Sequence, residues 1–248
     1  MIYPMRIFLI FIFLLLGTTE SHAWGLKELG EEAVSPVTTD AKYALYGGAA
    51  LTLMLAIYRD QVGKPFGEKQ VRNQSLGTNS QYGAFLGNMV GNTLYVVGMG
   101  VAHHFGDPKA YDRALGMFKA SAYSFTVTTA LKRIVQEPRP SNHDERDSFP
   151  SGHANASFTF SGYVAAEHGW GWGAGALVFS SFVAYSRIQD NRHRLHDVVG
   201  GATIGWAYGW AMSRQQKKEA KAREEKSSGY VMPILDTQTA GLGYFREF

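Results

Sequence analysis

Residues 186–197 read SRIQDNRHRLHD, and this stretch decides how the rest of the chain is interpreted. His193 and Asp197 are four residues apart, so at a helix start both side chains face one way. A carboxylate that accepts one ring N–H fixes the imidazole tautomer and leaves the other nitrogen basic. The spacing therefore predicts that Asp197 orients a nucleophilic His193. Arg187 supplies a cation from the end of the preceding helix.

Upstream of this stretch, residues 150–153 read PSGH, which is typical of a helix start. Ser151 is a capping residue, and Gly152 lets a ligand approach the backbone closely. The free N–H groups and the positive end of the helix dipole make such a start an anion site. His153 lies in the first turn, where a protonated imidazole could donate to a departing alkoxide.

Still further upstream, residues 132–140 read KRIVQEPRP and add two cations seven residues apart. Lys132 lies near the end of an apolar helix, and Arg139 lies in an extended turn enforced by Pro138 and Pro140. The guanidinium presents a planar fork to two oxyanion oxygens, whereas the ammonium acts as a point charge. Together the three blocks indicate a site that holds a tetrahedral oxyanion while one histidine attacks and another protonates.

Around these blocks the chain is predicted to be all-α, a bundle of about six core helices with the active site at one end. The apolar stretches are long enough for helices and lack a strand-like period of two. They cover residues 43–58, 82–103, 115–131, 153–166, 172–185 and 198–212. Residues 24–40 form a polar lead-in, and residues 59–81 are predicted to be a loop because they show no apolar rhythm.

In an up-and-down bundle, the functional side chains fall at the same end of the molecule. Lys132 ends one helix, His153 begins the next, Arg187 ends a third and His193 begins a fourth. Their convergence follows from their positions along the predicted helices.

The chain is predicted to have three parts: a signal peptide at 1–23, a helical domain at 24–212, and a tail at 213–248. The first part has an apolar run at 7–16 and small residues before a cleavage position; an uncleaved anchor is the alternative. The tail holds a basic stretch at 214–226, interpreted as a solvated helical extension or a contact with anionic lipid. Two apolar runs after it are expected to form a hairpin.

Composition narrows the function classes further. The net charge of +3 is too mild to indicate nucleic-acid binding, and the absence of cysteine excludes thiolate chemistry. The apolar stretches carry many polar residues. If they crossed a bilayer after export, residues 214–226 would lie outside, against the positive-inside rule. We therefore expect a periplasmic protein that contacts the membrane surface.

Two further groups invite other interpretations. Residues 143–147 (HDERD) have no clear ligand spacing, so a solvated acidic loop is preferred to a metal site. His196 adjoins Asp197 but is expected to face elsewhere, at the surface or behind the site. No metal is predicted.

The three blocks resemble the signature of the type 2 phosphatidic acid phosphatase superfamily, which also includes vanadium-dependent haloperoxidases. That signature reads K-x6-RP, PSGH and SR-x5-H-x3-D, and the chain matches each part over residues 82–212. The resemblance implies an all-helical phosphatase that needs no metal and no cofactor, with vanadate as an inhibitor. The gap of nine residues between Pro140 and Pro150 is shorter than usual in the family.

The resemblance also implies roles for individual residues. His193 becomes phosphorylated, His153 is the acid, and Asp197 orients His193. The phosphate is held by Lys132, Arg139, Arg187 and the amides of Ser151 and Gly152.

Several functions remain open at this point. The leading expectation is hydrolysis of phosphate monoesters or diphosphates of envelope lipids through a phosphohistidine. The alternatives are a broad-specificity soluble periplasmic acid phosphatase and a vanadate-dependent haloperoxidase. A non-catalytic anion-binding protein is disfavoured, because every acid, base and cation position is filled.

Overall fold

The computed structural model of this chain describes residues 25–227, 230–235 and 240–245. The described α-helices are α1 Leu26–Ala33, α2 Ser35–Thr38, α3 Ala41–Ile57, α4 Lys64–Asn73, α5 Ser80–Leu86, α6 Val90–His104, α7 Ala110–Val135, α8 Gly152–His168, α9 Trp170–Gln189 and α10 Leu195–Ser227. Strands β1 Tyr230–Leu235 and β2 Ala240–Phe245 pair antiparallel in the tail. The predicted all-α class is confirmed for the bundle. The expected signal peptide lies outside the described residues.

Helix α8 is central and packs on α7, α9 and α10. Its contact with α10 is backbone to backbone: a Cβ added at Gly205 would lie 2.2 Å from the carbonyl oxygen of Asn155. One added at Gly201 would lie 2.3 Å from the carbonyl oxygen of Ser151, and Gly209 is equally close to α8. Glycines four residues apart lie on one helix face, so Gly201, Gly205 and Gly209 form a continuous glycine seam. The seam fixes the first turn of α8 against the first turns of α10.

Helices α7 and α9 run antiparallel to α8 and are joined to it by hydroxyl contacts. Ser124 Oγ of α7 lies 3.0 Å from Thr159 Oγ1 of α8, and Ser180 of α9 donates to the carbonyl oxygen of Ser157 at 2.6 Å. Consequently α7 and α9 end at the end of the bundle where α8 and α10 begin.

The expected single helix over residues 82–103 is wrong, because the chain breaks between α5 and α6. Met89 adopts a left-handed conformation with φ of 62°, and Gly87 lies directly under the ring of His153. A Cβ at Gly87 would come within 2.6 Å of that ring. The break lets the chain approach the site at Gly87 before α6 resumes along the bundle.

The loop predicted for residues 59–81 is also wrong, since most of this segment is helical. A π-helical turn at Arg59–Gly63 leads into α4, and a 3-10 turn at Gly77–Asn79 precedes α5. The amide of Leu76 donates to Gln189 Oε1 at 2.8 Å, so contacts with α9 hold this polar segment in place. The lead-in at 24–40 likewise contains two helices, α1 and α2.

Helix α3 presents large apolar side chains to the outside. Leu53 is 62 % exposed and Ile57 is 65 % exposed. Among the described residues, no single helix is long and apolar enough to cross a membrane. One bent pair, residues 77–86 with α6, meets the length and composition test with a 50° angle between its parts.

Candidate active site

The site lies where α7 and α9 end and α8 and α10 begin. Lys132 is in the last turn of α7, His153 is in the first turn of α8, and Arg187 is in the last turn of α9. His193 lies in the short turn before α10, and Arg139 lies in the connection from α7 to α8. The structure thus brings the sequence-predicted residues to one end of the bundle.

His193 and Asp197 form a deeply buried pair at the site. His193 is 3 % exposed and Asp197 is fully buried, with 3.7 Å between His193 Nδ1 and Asp197 Oδ2. That separation is longer than an N–H···O hydrogen bond. Burial lowers the pKa of His193, although the charge of Asp197 opposes this effect. Arg139 and Lys132 lower it further. His193 is therefore held as a neutral imidazole facing a carboxylate.

The Asp197 carboxylate is held from several sides. Its Oδ2 accepts from Ser148 Oγ at 2.6 Å and from the Arg194 amide at 2.7 Å. Its backbone carbonyl oxygen accepts from the Ser151 amide at 2.9 Å. Burial alone would raise the pKa of Asp197, but His193, His196 and Ser148 bring it below its ordinary value. The group therefore stays charged.

Ser151 caps α8 as predicted, with its hydroxyl accepting from the Ala154 amide at 3.4 Å. Its own amide is engaged by Asp197, so the expectation that this amide faces an anion requires a correction. The amides of Gly152 and His153 follow in the unsatisfied first turn of the helix. A Cβ added at Gly152 would lie 4.0 Å from Lys132 Cε, which places the ammonium stem beside the helix start.

Arg139 is already paired with carboxylates of the connection between α7 and α8. Its Nε lies 2.6 Å from Asp147 Oδ1, its Nη2 lies 2.9 Å from Asp147 Oδ2, and Glu145 Oε2 is 3.0 Å from Nε. Lys132 Nζ donates to the backbone carbonyl oxygen of Asp147. Asp147 thus occupies one edge of the guanidinium fork, and its side chain is 47 % exposed.

Arg187 is buried beneath α5. Its Nη2 donates to Asp190 Oδ2 at 2.6 Å and to the Ser80 carbonyl oxygen at 3.2 Å, and its Nε donates to Ser186 Oγ at 3.1 Å. Each of the two arginines predicted to bind phosphate therefore has a carboxylate partner close by.

Two groups of the site have strongly shifted pKa values. Burial, together with the positive charge of Arg187, lowers the pKa of His153 to about 3. Burial lowers the pKa of Lys132 to about 8, and Arg139 contributes to this, while Asp147 opposes it. The surroundings of these two groups therefore disfavour additional positive charge.

His196 was expected to face away from Asp197, either at the surface or behind the site; the surface position is wrong, and the residue lies behind the site against Asp197. The residue is 3 % exposed, and its Nε2 lies 3.2 Å from Asp197 Oδ1 and 3.0 Å from both carboxylate oxygens of Glu137. Glu137 also accepts from Arg194 Nη1 at 3.0 Å. Sequence reasoning missed Glu137 because it is one charged residue among several before a Pro-Arg-Pro turn.

Glu137, His196 and Asp197 bring one potential ligand atom each within 4.8 Å of one another. However, His196 Nε2 points at the carboxylates themselves, and Arg194 already neutralises Glu137. The contacts therefore describe a histidine N–H bonded to the Glu137 carboxylate, with Asp197 Oδ1 alongside, rather than a set of metal ligands.

Comparison with known proteins agrees with this geometry. The sequence profile of the PAP2 superfamily matches residues 113–221, the segment that carries all three blocks. The chain carries a PAP2 superfamily domain. The expected family is confirmed, and so is the enzyme class, a PAP2-type phosphoric ester hydrolase. 

Among solved structures, the chain is similar to a transmembrane PAP2-type phosphatidylglycerolphosphate phosphatase from Bacillus subtilis. The sequence identity is 20 %, the TM-score is 0.46, and the match covers 88 % of this chain and 98 % of that one. No curated protein matches this sequence.

Proposed function

We propose that this PAP2 phosphatase hydrolyses phosphate monoesters or diphosphates of envelope lipids through a phosphohistidine at His193, without a metal ion. The observation that carries the proposal is the buried His193–Asp197 pair, with 3.7 Å between Nδ1 and Oδ2, at the foot of a cluster of cations. A histidine with a fixed carboxylate at Nδ1 can attack only through Nε2.

The first step begins when a phosphate group binds among Lys132, Arg139 and Arg187. Its oxygens displace the Asp147 carboxylate from the Arg139 fork and accept from the amides at the start of α8. These groups meet the charge that grows on the phosphoryl oxygens in the transition state, which is the part a divalent ion takes in other phosphatases. No cofactor is needed for this step.

The chemistry then proceeds in two displacements. His193 Nε2 forms a bond to phosphorus as the P–O bond to the leaving group breaks, and His153 gives its proton to the departing alkoxide. Water next attacks the phosphohistidine, His153 takes a proton from that water, and the N–P bond breaks to release phosphate. Asp197, which faces Nδ1 at 3.7 Å, closes on the Nδ1 proton as the phosphohistidine forms and offsets the positive charge on the ring.

His153 needs a proton before it can act, yet without substrate its pKa is about 3. Burial and the positive charge of Arg187 cause this shift. A bound phosphate dianion offsets the charge of Arg187, so it raises the pKa of His153 and draws in a proton. Substrate binding thus protonates His153, the acid that the reaction then uses.

Lipid substrates are favoured by the outer surface. Phe85 and Leu94, on the helices flanking the break near His153, are 63 % and 66 % exposed, as are the large side chains of α3. Large apolar side chains exposed on several helices favour contact with another apolar phase. We place the enzyme at the periplasmic surface of the membrane, with soluble esters as slower substrates.

The test is a phosphate-release panel of lipid phosphates, lipid diphosphates and water-soluble esters, each with and without a chelator. His193→Ala should lose several orders of magnitude in kcat, and rapid quench should trap acid-labile phosphate on the wild type only. His104→Ala, at the other end of the bundle, is the matched control. Restoration of a chelated enzyme by added metal would overturn the mechanism.

His153→Ala separates the acid from the nucleophile. An alkyl phosphate needs a proton on its leaving group, whereas a nitrophenolate hardly does, so the loss in kcat should be much larger on alkyl esters. Equal losses on both would assign His153 to binding.

Cell fractionation tests the location of the enzyme, and the phosphate-release panel tests its substrate preference. Release from membranes by high salt and preference for lipid phosphates are the expected results. Free solubility with preference for small esters would indicate a general acid phosphatase instead. Vanadate should inhibit competitively, and halide oxidation supported by vanadate would indicate the haloperoxidase chemistry of the same superfamily.

A further inference from the structure

A cluster of side chains behind the nucleophile connects the first sequence block to the third through one residue, Glu137. Its carboxylate oxygens each lie 3.0 Å from His196 Nε2, and one of them accepts from Arg194 Nη1 at 3.0 Å. Its backbone carbonyl oxygen accepts from the Ser148 amide at 2.9 Å, and the Ser148 hydroxyl donates to Asp197 at 2.6 Å. Glu137 is therefore linked to Asp197 by two independent routes, one through His196 and one through Ser148.

His196 is the shorter of these routes. Its Nε2 faces Glu137 and, at 3.2 Å, Asp197 Oδ1, whereas its buried Nδ1 has no hydrogen-bond partner in the part of the chain that the structure describes. The hydrogen therefore belongs on Nε2, since only that nitrogen faces acceptors. The ring itself stacks on Phe149, with centroids 6.1 Å apart, so it cannot swing away.

These contacts affect Asp197, whose carboxylate faces the nucleophile His193. Asp197 Oδ2 is fixed by Ser148 and the Arg194 amide, whereas Oδ1 accepts no hydrogen bond from any described residue and has His196 Nε2 3.2 Å away. A buried carboxylate oxygen without a donor is costly and turns toward any donor available. The Nε2 edge of the His196 ring, held 3.2 Å from Oδ1 by its bonds to Glu137, limits that freedom.

We propose that His196, held by Glu137, is a positioning residue that keeps Asp197 turned toward His193. His196 and Glu137 affect the reaction only through Asp197. The inference rests on the proposed phosphohistidine mechanism. His196 touches neither the substrate nor the reacting nitrogen, so its loss should slow the attack and leave phosphate binding as it is.

The experiment is a double-mutant cycle with His196→Leu and Asp197→Asn, followed by kcat and KM on an aryl phosphate. His196→Leu alone should lower kcat about 10- to 100-fold, the range found when outer partners of functional histidines are removed. KM and the inhibition constant for vanadate should change less than about threefold, because Lys132, Arg139 and Arg187 are untouched. In the Asp197→Asn background, His196→Leu should have no further effect on kcat.

Two conservative variants keep the proposal testable where His196→Leu fails to fold. His196→Gln retains an N–H near the Nε2 position, so kcat should stay within about threefold of the wild type. Glu137→Gln removes the charge but leaves an acceptor, and its loss in kcat should lie between those of His196→Gln and His196→Leu. His168→Leu is the control, a partly buried histidine bonded to Tyr95 at the far end of α8.

The outcomes separate the two proposals. If wild type forms no phosphohistidine, the mechanism itself is wrong. If wild type forms it and His193→Ala is inactive, but His196→Leu and Asp197→Asn lower kcat additively, His196 does not act through Asp197. A fall in kcat matched by an equal rise in KM, or retained activity in His196→Leu, would likewise overturn the positioning role.

Discussion

Helices α8 and α10 meet backbone against backbone, whereas α3 packs on the same α10 and turns its large side chains outward. Along the glycine seam, a Cβ at Gly205 would come within 2.2 Å of a carbonyl oxygen of α8. On α3, a Cβ at Gly47 would meet nothing within 4 Å, and Ile57 is 65 % exposed. The first contact sets the geometry of the site, and the second leaves an apolar surface for contacts outside the molecule.

The largest effect is expected at the seam. Gly205→Ala forces α8 and α10 apart because the new methyl group meets backbone, which cannot move like a side chain. We expect the free energy of unfolding to fall by about 3 kcal/mol. Activity should fall further, since the seam holds His153 of α8 against Asp197 of α10.

Gly47→Ala is the matched control for this substitution. The substitution replaces a helix-interior glycine, and the new methyl group points into open space. It should raise the free energy of unfolding by as much as about 1 kcal/mol. Urea unfolding of both variants measures the contrast. Equal effects at the two positions would mean that the seam is not a tight contact.

The next effect concerns the outer surface. Leu53→Ser with Ile57→Ser should weaken binding to anionic lipid vesicles, because each side chain would lose about 1 kcal/mol of transfer free energy. Together this amounts to a roughly thirtyfold change in binding. Vesicle cosedimentation checks it, with Ala49→Ser and Ala50→Ser on the same helix as control. Unchanged binding would remove α3 from the membrane contact, and a lower kcat on soluble esters would mean that α3 supports the site.

A smaller effect, on inhibitor binding, is expected in the connection between α7 and α8. This connection belongs neither to the glycine seam nor to the exposed face of α3. Asp147 is half exposed and pairs with Arg139, so under the proposed mechanism it competes with the substrate phosphate for this guanidinium. Asp147→Asn should therefore lower the inhibition constant for vanadate about fivefold, since such a partly exposed ion pair contributes about 1 kcal/mol. Asp144→Asn changes the net charge equally at an exposed position of the same connection. Weaker inhibition in Asp147→Asn would show that Asp147 supports Arg139 instead.

The smallest expected effect is the uptake of less than one proton per protein molecule when an anion binds. Because the pKa of His153 is about 3 in the empty site, it is neutral at pH 6 and must gain a proton when a dianion binds. Sulfate is a tetrahedral dianion that does not titrate there. Calorimetry in buffers of different ionisation enthalpy should detect proton uptake on sulfate binding. The uptake should be smaller in His153→Gln, and identical uptake in both proteins would place the proton elsewhere.

The pH dependence of kcat/KM follows from Lys132. Its pKa is about 8 because burial penalises the ammonium, so the group is charged below that pH and loses its charge above it. Phosphate binding weakens accordingly, and kcat/KM should decline above pH 8. Lys132→Met should remove this alkaline decline.

The fold class and the meeting of the motif residues could be predicted, because helix ends and fixed spacings place Lys132, His153, Arg187 and His193 at one end. The break at Met89 could not, since a non-glycine residue with positive φ leaves no pattern in the sequence. The helix α4 was missed because it is polar and depends on contacts with Gln189 of α9.

Within the site, the identities of the cations were predictable but their partners were not. Asp147 was assigned to a solvated acidic loop, and only the folded connection shows it bonded to Arg139 at two atoms. His196 was placed by helical periodicity, which fails here because α10 begins only at Leu195 and its first turn packs against Glu137.

The carboxylates beside the arginines also determine how a substrate finds this enzyme. Arg139 faces Asp147 and Glu145, and Arg187 faces Asp190, so the empty site projects little net field into solvent. Charges in water are screened within about 8 Å at physiological ionic strength, and paired charges reach less far still. Long-range steering of an anion is therefore weak, and encounter rates should depend little on salt. An enzyme of this kind depends on having its substrate held nearby, as lipids in a surface are, rather than on drawing it from bulk solution.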